Sequence, residues 1–237
     1  MAGAEARVED ATIKYFKSLG YEYKYGPDLN KERSASFTTV ILPERLRAAI
    51  GRINPTLTPG QVGEVVQKVT DGFGLDTGEN NHAFHKMLTE GVKLQVHVEG
   101  AGAEGRQAWI VDFDNPDHND WLVTNQLTIA GPKKSHTPDL IVYLNGLPIA
   151  VFELKSPEDE QARLMKAWNQ LQTYKDNIPD LFNTNEILVI SDGFDAKMGS
   201  LTAGYERFMP WRTVGESEAS GDMPPIEVVT KGIFEKR

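Results

Sequence analysis

The stretch that most constrains the fold is a predicted β-hairpin within residues 138–155. Two apolar runs, 140–144 and 149–152, flank the dipeptide Asn145-Gly146, which is the strongest short-range hairpin signal that a sequence offers. Because both runs are apolar at every position, neither face of the hairpin is expected to meet solvent. The pattern therefore predicts two strands inside a larger, covered sheet.

Three charged residues stand at the open end of this hairpin. Asp139 begins the first strand, and Glu153 and Lys155 close the second. Buried charges are costly unless they are paired or bind a metal. Glu153 and Lys155 are two residues apart, so on a strand they project from the same face. Two carboxylates can hold a hard divalent cation such as Mg²⁺, and a neighbouring lysine can orient or activate a water molecule.

The hairpin connection decides whether the two carboxylates can share one metal. A two-residue turn at Asn145-Gly146 would place Asp139 and Glu153 on opposite faces of the sheet, because side chains alternate along a strand. A three-residue connection, 145–147, shifts the register by one residue and puts the two carboxylates opposite each other. We therefore predict a three-residue connection, with Gly146 at positive φ and a bulge of the G1 type.

Further residues follow these charges in a recognisable order. Gln170 and Tyr174 are spaced i and i+4 on a predicted helix, so they share a face. A short apolar strand, 187–190, comes next and leads into Ser-Asp-Gly. With the Pro-Asp and Glu-Leu-Lys segments, this order resembles the N-terminal nuclease domain of type I restriction enzyme R (restriction) subunits, in the PD-(D/E)xK nuclease superfamily. The similarity covers roughly residues 80 to 212 well and the first 80 residues loosely.

The resemblance implies a fold and an activity. The expected fold is α/β, a restriction-endonuclease-like mixed central sheet flanked by helices, with a helical insertion near the N-terminus. The expected activity is Mg²⁺-dependent hydrolysis of DNA phosphodiester bonds. Asp139 and Glu153 would bind the metal together with the Leu154 carbonyl. Lys155 would position or activate the attacking water and stabilise charge at the phosphate.

Two further sets of site residues come from the resemblance. Gln170 and Tyr174 form an additional family motif, expected to support the nuclease through DNA or active-site contacts. In this superfamily an acidic residue of an early helix often reaches the metal, and Glu9 is the better placed candidate on the amphipathic helix predicted for residues 4–19. Glu5 lies one turn away from it, and the helix dipole alone would also favour both glutamates there.

The order of elements predicts the domain organisation. Residues 1–213 are expected to form the nuclease domain, with a helical insertion at about 43–90 and a loop at 21–35. Residues 214–237 are rich in Gly, Ser, Glu and Pro at their start, which is typical of a linker leading to another domain. No Gly-x-x-x-x-Gly-Lys-Ser/Thr phosphate loop occurs. The chain therefore looks like an N-terminal fragment, and ATP would be needed only in motor domains outside it.

Charge and composition limit the partners. The net charge of −9 is unusual for a DNA-binding protein, because phosphate contacts need Lys and Arg. Basic residues near the proposed site are the DNA-binding candidates, although each could equally be a solvated surface charge: Lys133, Lys134, Arg163 and Lys166. The absence of cysteine excludes disulfides and thiolate metal sites and fits a cytoplasmic protein, and no segment predicts a membrane span. Four histidines are interpreted as structural or surface residues: His82, His85, His97 and His118.

The resemblance also implies partners. The parent protein would couple ATP-driven translocation on double-stranded DNA to cleavage, together with methyltransferase and specificity subunits. Two alternatives stay open: a standalone PD-(D/E)xK repair nuclease, and a non-catalytic DNA-binding or assembly module with a nuclease-like fold. The intact Asp139, Glu153 and Lys155 argue against the non-catalytic module, and the Gln170–Tyr174 pair argues against the repair enzyme.

Overall fold

A six-stranded mixed sheet lies at the centre of the structure, a computed structural model that describes residues 2–33, 36–71, 73–74, 76–98, 102–156, 163–218 and 221–236. The strands are β1 (Glu22–Tyr25), β2 (Val92–Val98), β3 (Gly102–Ala108), β4 (Trp121–Asn125), β5 (Leu140–Leu144), β6 (Leu147–Leu154), β7 (Ile187–Ser191), β8 (Ala196–Gly199), β9 (Thr213–Val214) and β10 (Ser217–Glu218). The central sheet has the order β1-β4-β5-β6-β7-β8. β1 is parallel to β4 and β6 is parallel to β7, whereas the remaining neighbours are antiparallel.

Helices cover both faces of this sheet, as predicted for a mixed α/β fold. They are α1 (Ala2–Ser18), α2 (Gly26–Leu29), α3 (Pro43–Ile53), α4 (Pro59–Thr70), α5 (Thr77–Glu90), α6 (Arg163–Asn177) and α7 (Pro225–Ile233). On one face, Ile141 and Val151 pack with side chains of α3 to α6. On the other, Leu140 and Phe152 pack with α1 and α7. This alternation explains why every position of β5 is buried.

The β5–β6 hairpin differs from the prediction at its turn. Leu144 pairs with Leu147, so the connection has two residues, and the predicted three-residue connection is wrong. Asn145 and Gly146 have φ values of 52° and 79°, which is the type I′ pattern, and the positive φ of Gly146 is confirmed.

The predicted shift of register is present, but it occurs inside β6. Val142 pairs with Ala150 whereas Tyr143 pairs with Pro148, so Ile149 is the extra, bulged residue. Proline has no N–H to give to the ladder and is found in sheets mainly at edges and bulges. Beyond the bulge Leu140 pairs with Phe152, which sets Asp139 against Glu153 in the next position.

Several element boundaries agree with the sequence pattern. α3 begins at Pro43, and α4 follows Thr58, which forms a capping box with Gln61. The apolar run 121–129 predicts a strand, but β4 ends at Asn125, because Gln126 has a φ of 55° and cannot continue it. Ser156-Pro157 predicts the start of a helix; this start lies partly outside the described residues, and α6 is described from Arg163.

Two segments differ from the prediction in kind. Residues 21–35, expected as a loop, include β1, which pairs with β4 at the sheet edge, and the short α2. β1 is only four residues long and mostly polar, so its sequence does not predict a strand. Hydrogen bonding to β4 gives it the strand conformation. In the segment expected as a linker, α7 packs on α1 and β8. Its Val229 and the following Phe234 lie in the same core cluster as Phe16 and Phe152, so α7 is part of this domain.

Among the described residues, no helix combines the length and apolarity needed to cross a bilayer. Asp139, Glu153 and Lys155 lie together at one end of the central strands, where β5 begins and β6 ends.

Candidate active site

The open end of the hairpin brings two carboxylates together. Asp139 directly precedes β5, and Glu153 is the penultimate residue of β6. The Leu154 backbone N–H donates a hydrogen bond of 2.6 Å to Asp139 Oδ2, which holds that carboxylate beside the end of β6. The bulge at Ile149 makes this possible, because it brings the positions of Asp139 and Glu153 into register.

Glu153 is almost completely buried, with 2% of its side chain exposed. Its Oε1 accepts a hydrogen bond from the Lys155 ammonium, which also donates to the Leu154 carbonyl at 3.2 Å. Its Oε2 is buried and has no hydrogen-bond partner among the residues that the structure describes. An unpartnered oxygen on a buried carboxylate costs free energy, on the order of 1–3 kcal/mol or more. The unpaired Oε2 is an oxygen of the type that binds hard cations.

Burial is the main cause of the pKa shifts in this cluster. Burial raises the pKa of Asp139 well above its usual value, and the charge of Glu153 raises it further. Burial also raises the pKa of Glu153, against the opposing effect of Lys155. For Lys155, burial lowers the pKa, but the charge and hydrogen bond of Glu153 outweigh it and the net pKa is raised. A single ammonium thus does not compensate two carboxylates at this edge.

α6 adds the Gln170–Tyr174 pair to the cluster. Gln170 Nε2 donates to the Tyr174 hydroxyl at 3.1 Å, and Tyr174 is buried. Burial raises the pKa of Tyr174, and the charge of Glu153 raises it further. The hydroxyl also helps to lower the pKa of Glu153, although it does not satisfy Oε2. The i, i+4 spacing therefore does place both side chains beside the carboxylates, as the shared helix face predicts.

The N-terminal helix contributes a different glutamate from the predicted one. Glu5 Oε1 lies 3.9 Å from the Lys155 ammonium, and its charge raises the pKa of Asp139 and Glu153. The Glu9 carboxylate instead accepts hydrogen bonds from Asn125 Nδ2 at 2.5 Å and Gln126 Nε2 at 3.2 Å. The structure thus brings Glu5 to the cluster and ties Glu9 to the end of β4.

The four basic candidates lie in two places, the loop before β5 and the start of α6. Lys133 and Lys134 are exposed in the loop between Ile129 and His136, which are paired with each other. Arg163 begins the described part of α6 and forms an ion pair of 3.7 Å with Asp192, at the end of β7. Lys166 is exposed one turn later.

A family model described as "Type I restriction enzyme R protein N terminus" matches residues 4–207 of the chain. The chain belongs to this family. The match includes the whole hairpin, α6 and the end of β7, so every element that positions the cluster lies within it. The resemblance noted in the sequence is confirmed.

Curated relatives of this R-protein domain are endonuclease subunits. The chain is 38% identical over 221 residues to the type I restriction enzyme HindI endonuclease subunit of Haemophilus influenzae, covering 91% of this chain and 21% of the relative. It is 37% identical over 230 residues to the putative type I restriction enzyme MjaIXP endonuclease subunit of Methanocaldococcus jannaschii, covering 95% and 22%. The chain therefore spans about a fifth of the length of these relatives.

In the part of the R-protein domain that the structure describes, no group of three or more His, Cys, Asp or Glu side chains is placed to hold a metal ion, at the Asp139–Glu153 cluster or elsewhere. The histidines form pairs with single carboxylates instead. His85 pairs with Glu186 at 2.8 Å, and His118 pairs with Asp112 at 2.9 Å. Both are exposed, as is His82, which agrees with their interpretation as surface residues, while the side chain of His97 lies outside the description.

Two residues outside the predicted set of site residues, His136 and Glu5, lie near the cluster. The ring of His136 lies 5.1 Å from that of Tyr174, and its Nε2 lies 2.9 Å from Asn177 Nδ2. Glu5 was passed over for Glu9. His136 could have been suggested by its position three residues before Asp139 in the sequence. Which of Glu5 and Glu9 lies near the cluster depends on the orientation of α1 relative to the sheet, which the sequence does not show.

Proposed function

We propose that this R-protein domain is a divalent-metal-dependent endonuclease of the PD-(D/E)xK fold that hydrolyses DNA phosphodiester bonds. The observation that supports it is the buried Glu153, whose Oε2 lacks a partner while Oε1 is held by Lys155. A purely structural ion pair would be expected to satisfy both oxygens, because native interiors rarely leave such groups unpaired. The unpaired oxygen therefore favours a cation-binding site over a purely structural ion pair.

The donor set fits a hard cation such as Mg²⁺. Carboxylate and carbonyl oxygens are the ligands that such a cation prefers. Asp139 and Glu153 would hold it, with the Leu154 carbonyl as a further ligand. A bound cation would supply Lewis-acid polarisation of the phosphate and a more acidic water. Its charge would also offset the two carboxylates whose pKa values are raised.

The chain's own residues have distinct tasks in this proposal. Lys155 orients the attacking water and donates hydrogen bonds to the phosphate oxygens as charge develops there. Gln170 fixes the Tyr174 hydroxyl, and Tyr174 keeps Glu153 in place. Glu5 adds negative charge from α1. Glu9 would support the end of β4 rather than act as a direct ligand, given its bonds to Asn125 and Gln126.

The wider setting is proposed from the relatives. Double-stranded DNA would be the substrate, and methyltransferase and specificity subunits would be the partners in a cytoplasmic restriction-modification complex. ATP-driven translocation would reside in the part of such proteins that this chain does not span. With a net charge of −9, the domain would depend on those neighbours for most of its DNA affinity. Locally, Lys133, Lys134, Arg163 and Lys166 would contact phosphates.

DNA cleavage by the assembled enzyme tests the proposal. Asp139→Ala, Glu153→Ala and Lys155→Ala should each lower cleavage about a hundredfold or more, because each removes a group that acts in the transition state. ATP hydrolysis should persist in all three, which shows that the subunit is folded. Glu218→Ala, which removes an exposed carboxylate from β10, is the matched control and should cleave normally. Near-normal cleavage by any of the three site variants would refute the assignment.

A further inference from the structure

An exposed aromatic side chain stands at the same edge of the sheet as the carboxylate cluster. Phe194 is 69% exposed at the tip of the tight turn between β7 and β8. The turn follows Ser191, whose carbonyl accepts a hydrogen bond of 2.8 Å from the Lys155 backbone N–H. At about 3.3 Å per residue, Phe194 lies at most roughly 10 Å beyond that bond. This is the length of about three stacked nucleotide steps of about 3.4 Å.

The turn holds the ring in a fixed place. Asp192 Oδ1 accepts hydrogen bonds from the backbone N–H of Phe194 at 3.0 Å and of Asp195 at 2.8 Å. Ser191 Oγ accepts from the Gly193 N–H at 3.1 Å and donates to the Asp195 carbonyl at 2.8 Å. Gly193 has a φ of 87°, which this turn requires. These hydrogen bonds fix the backbone of the turn, while the phenyl ring is exposed.

A cation lies next to this ring. The Arg163 guanidinium carbon is 5.7 Å from the centroid of Phe194, and Nη1 is 3.7 Å from Asp192 Oδ2. An exposed apolar side chain is ordinary on a protein surface. What distinguishes Phe194 is the combination of a hydrogen-bonded turn, an adjacent guanidinium and its position after the end of β7, which is hydrogen-bonded to Lys155 at the end of β6. An aromatic face beside a cation is the combination that binds a stacked base and its phosphate.

We propose that Phe194 stacks on a nucleobase close to the scissile phosphate, so that the domain prefers DNA whose base stack is open at the cut. This proposal rests on the proposed nuclease function and specifies its substrate. Apolar side chains inserted at a base step unstack it and kink the duplex. Phe194 would stack on the base and Arg163 would bind the neighbouring phosphate. Together they would hold the DNA strand beside the carboxylates.

Binding and photo-crosslinking of the chain test this proposal. The probes are an intact duplex and the same duplex with a three-nucleotide gap that contains 5-iodouracil. The wild type should bind the gapped duplex more tightly, and ultraviolet light should attach the iodouracil to Phe194. Phe194→Leu should lose the crosslink and weaken binding to the gapped duplex about tenfold, since stacking on one aromatic side chain is worth roughly that factor. Phe194→Tyr and Phe194→Trp should restore both.

Phe113 provides a matched control. It is 59% exposed and follows Asp112, which is bonded through Asn119 to the turn end of the hairpin, far from the carboxylates. Phe113→Leu should bind and crosslink as the wild type does. If Phe194→Leu binds both duplexes as the wild type does and no crosslink reaches Phe194, the proposal is wrong. A Phe194→Leu change that alters only self-association in sedimentation would also overturn it, and would assign the ring to a protein contact.

The crosslink and the cleavage assay separate this proposal from the nuclease assignment. Asp139→Ala should abolish cleavage in the assembled enzyme yet leave the crosslink to Phe194 intact. A crosslink together with normal cleavage by Asp139→Ala would refute the nuclease assignment alone. Loss of cleavage by Asp139→Ala without any wild-type crosslink to Phe194 would refute the stacking proposal alone.

Discussion

At the turn end of the β5–β6 hairpin, the buried Asn145 has a partner for each polar group. Its Nδ2 donates to the Ile110 carbonyl at 2.8 Å and to Asn119 Oδ1 at 2.9 Å, and its Oδ1 accepts from the Asp120 N–H at 2.7 Å. At the open end, Glu153 is buried to a similar degree, yet its Oε2 has no partner. The same hairpin thus buries polar groups in two different ways.

The difference separates a stabilising site from a functional one. The turn end fixes the register, because hydrogen bonds that are fully satisfied favour one arrangement of the backbone. The open end leaves a carboxylate oxygen unpaired and raises the pKa of Asp139 and Glu153, mainly by burial. Under the proposed function, that arrangement would weaken the metal-free protein and would preorganise ligands for a cation. Substitutions at the two ends should therefore have different consequences.

The largest effect on stability is expected at the turn. Gly146 has a φ of 79°, and a Cβ at this position would lie 2.5 Å from the Leu42 carbonyl oxygen. Gly146→Ala should therefore lower the free energy of unfolding by about 3 kcal/mol, since it adds backbone strain and a steric clash. Urea denaturation followed by circular dichroism measures the change.

Gly215 is the matched control for that substitution. Its φ is 64°, and a Cβ there would meet no atom within 4 Å. Gly215→Ala should lower the free energy of unfolding by only about 1 kcal/mol, the cost of the backbone conformation alone. Equal losses for the two variants would contradict the close packing of the turn against Leu42.

A smaller effect is expected at the open end of the hairpin, where removing the charge of Asp139 should stabilise the metal-free protein rather than destabilise it. Because the pKa values of Asp139 and Glu153 are raised on folding, their contribution is most favourable below their ordinary values of 3.8 and 4.5. This contribution to the free energy of unfolding is lost as the pH rises through the raised pKa values of the folded protein. Without metal, the stability of Asp139→Asn relative to the wild type should therefore increase as the pH rises above the ordinary pKa values of these carboxyl groups.

Urea denaturation in EDTA at several pH values checks this expectation. Asp139→Asn keeps an oxygen that can accept from the Leu154 N–H, so the variant isolates the charge. The expected pattern is an Asp139→Asn protein whose stability relative to the wild type increases with pH. A constant difference across the range would show that the two carboxylates do not strain the folded state.

The smallest effect concerns the glutamates of α1. Glu5 is 38% exposed and 3.9 Å from Lys155, so its charge adds modestly to the cluster. Glu5→Gln should weaken divalent-cation binding about two- to fivefold, because an exposed charge interaction is worth about 0.2–1 kcal/mol. Glu9→Gln should weaken it less. Titration calorimetry of both variants makes the comparison, and a larger loss for Glu9→Gln would restore Glu9 as the ligand.

Much of the hairpin could be predicted because its signals are local. Asn145-Gly146 specifies a turn, and the continuous apolar run predicts burial on both faces. A bulge was expected because Asp139 and Glu153 can share a cation only if their side chains lie on the same face, and a two-residue turn without a bulge would put them on opposite faces. Its position was not predictable from the turn alone, because Pro148 and Ile149 moved it into β6.

Other parts depended on contacts that are distant in sequence. β1 is a strand only because β4 lies beside it, and α7 joins the core through Phe234, which packs on Phe16. A linker-like composition before α7 concealed that packing. The charge of Glu5 near Lys155 likewise depends on how α1 crosses the sheet, which no spacing within the helix reveals.

Titration calorimetry of Mg²⁺ binding tests the central claim most directly. The chain should bind the cation at one site, and Asp139→Ala and Glu153→Ala should each weaken binding by at least about tenfold, because each removes a ligand. Lys155→Ala should bind at least as tightly as the wild type, since it removes a competing cation from Glu153. Equal affinity of the wild type and Asp139→Ala, or loss of binding in Lys155→Ala alone, would contradict a metal site at the open end of the hairpin.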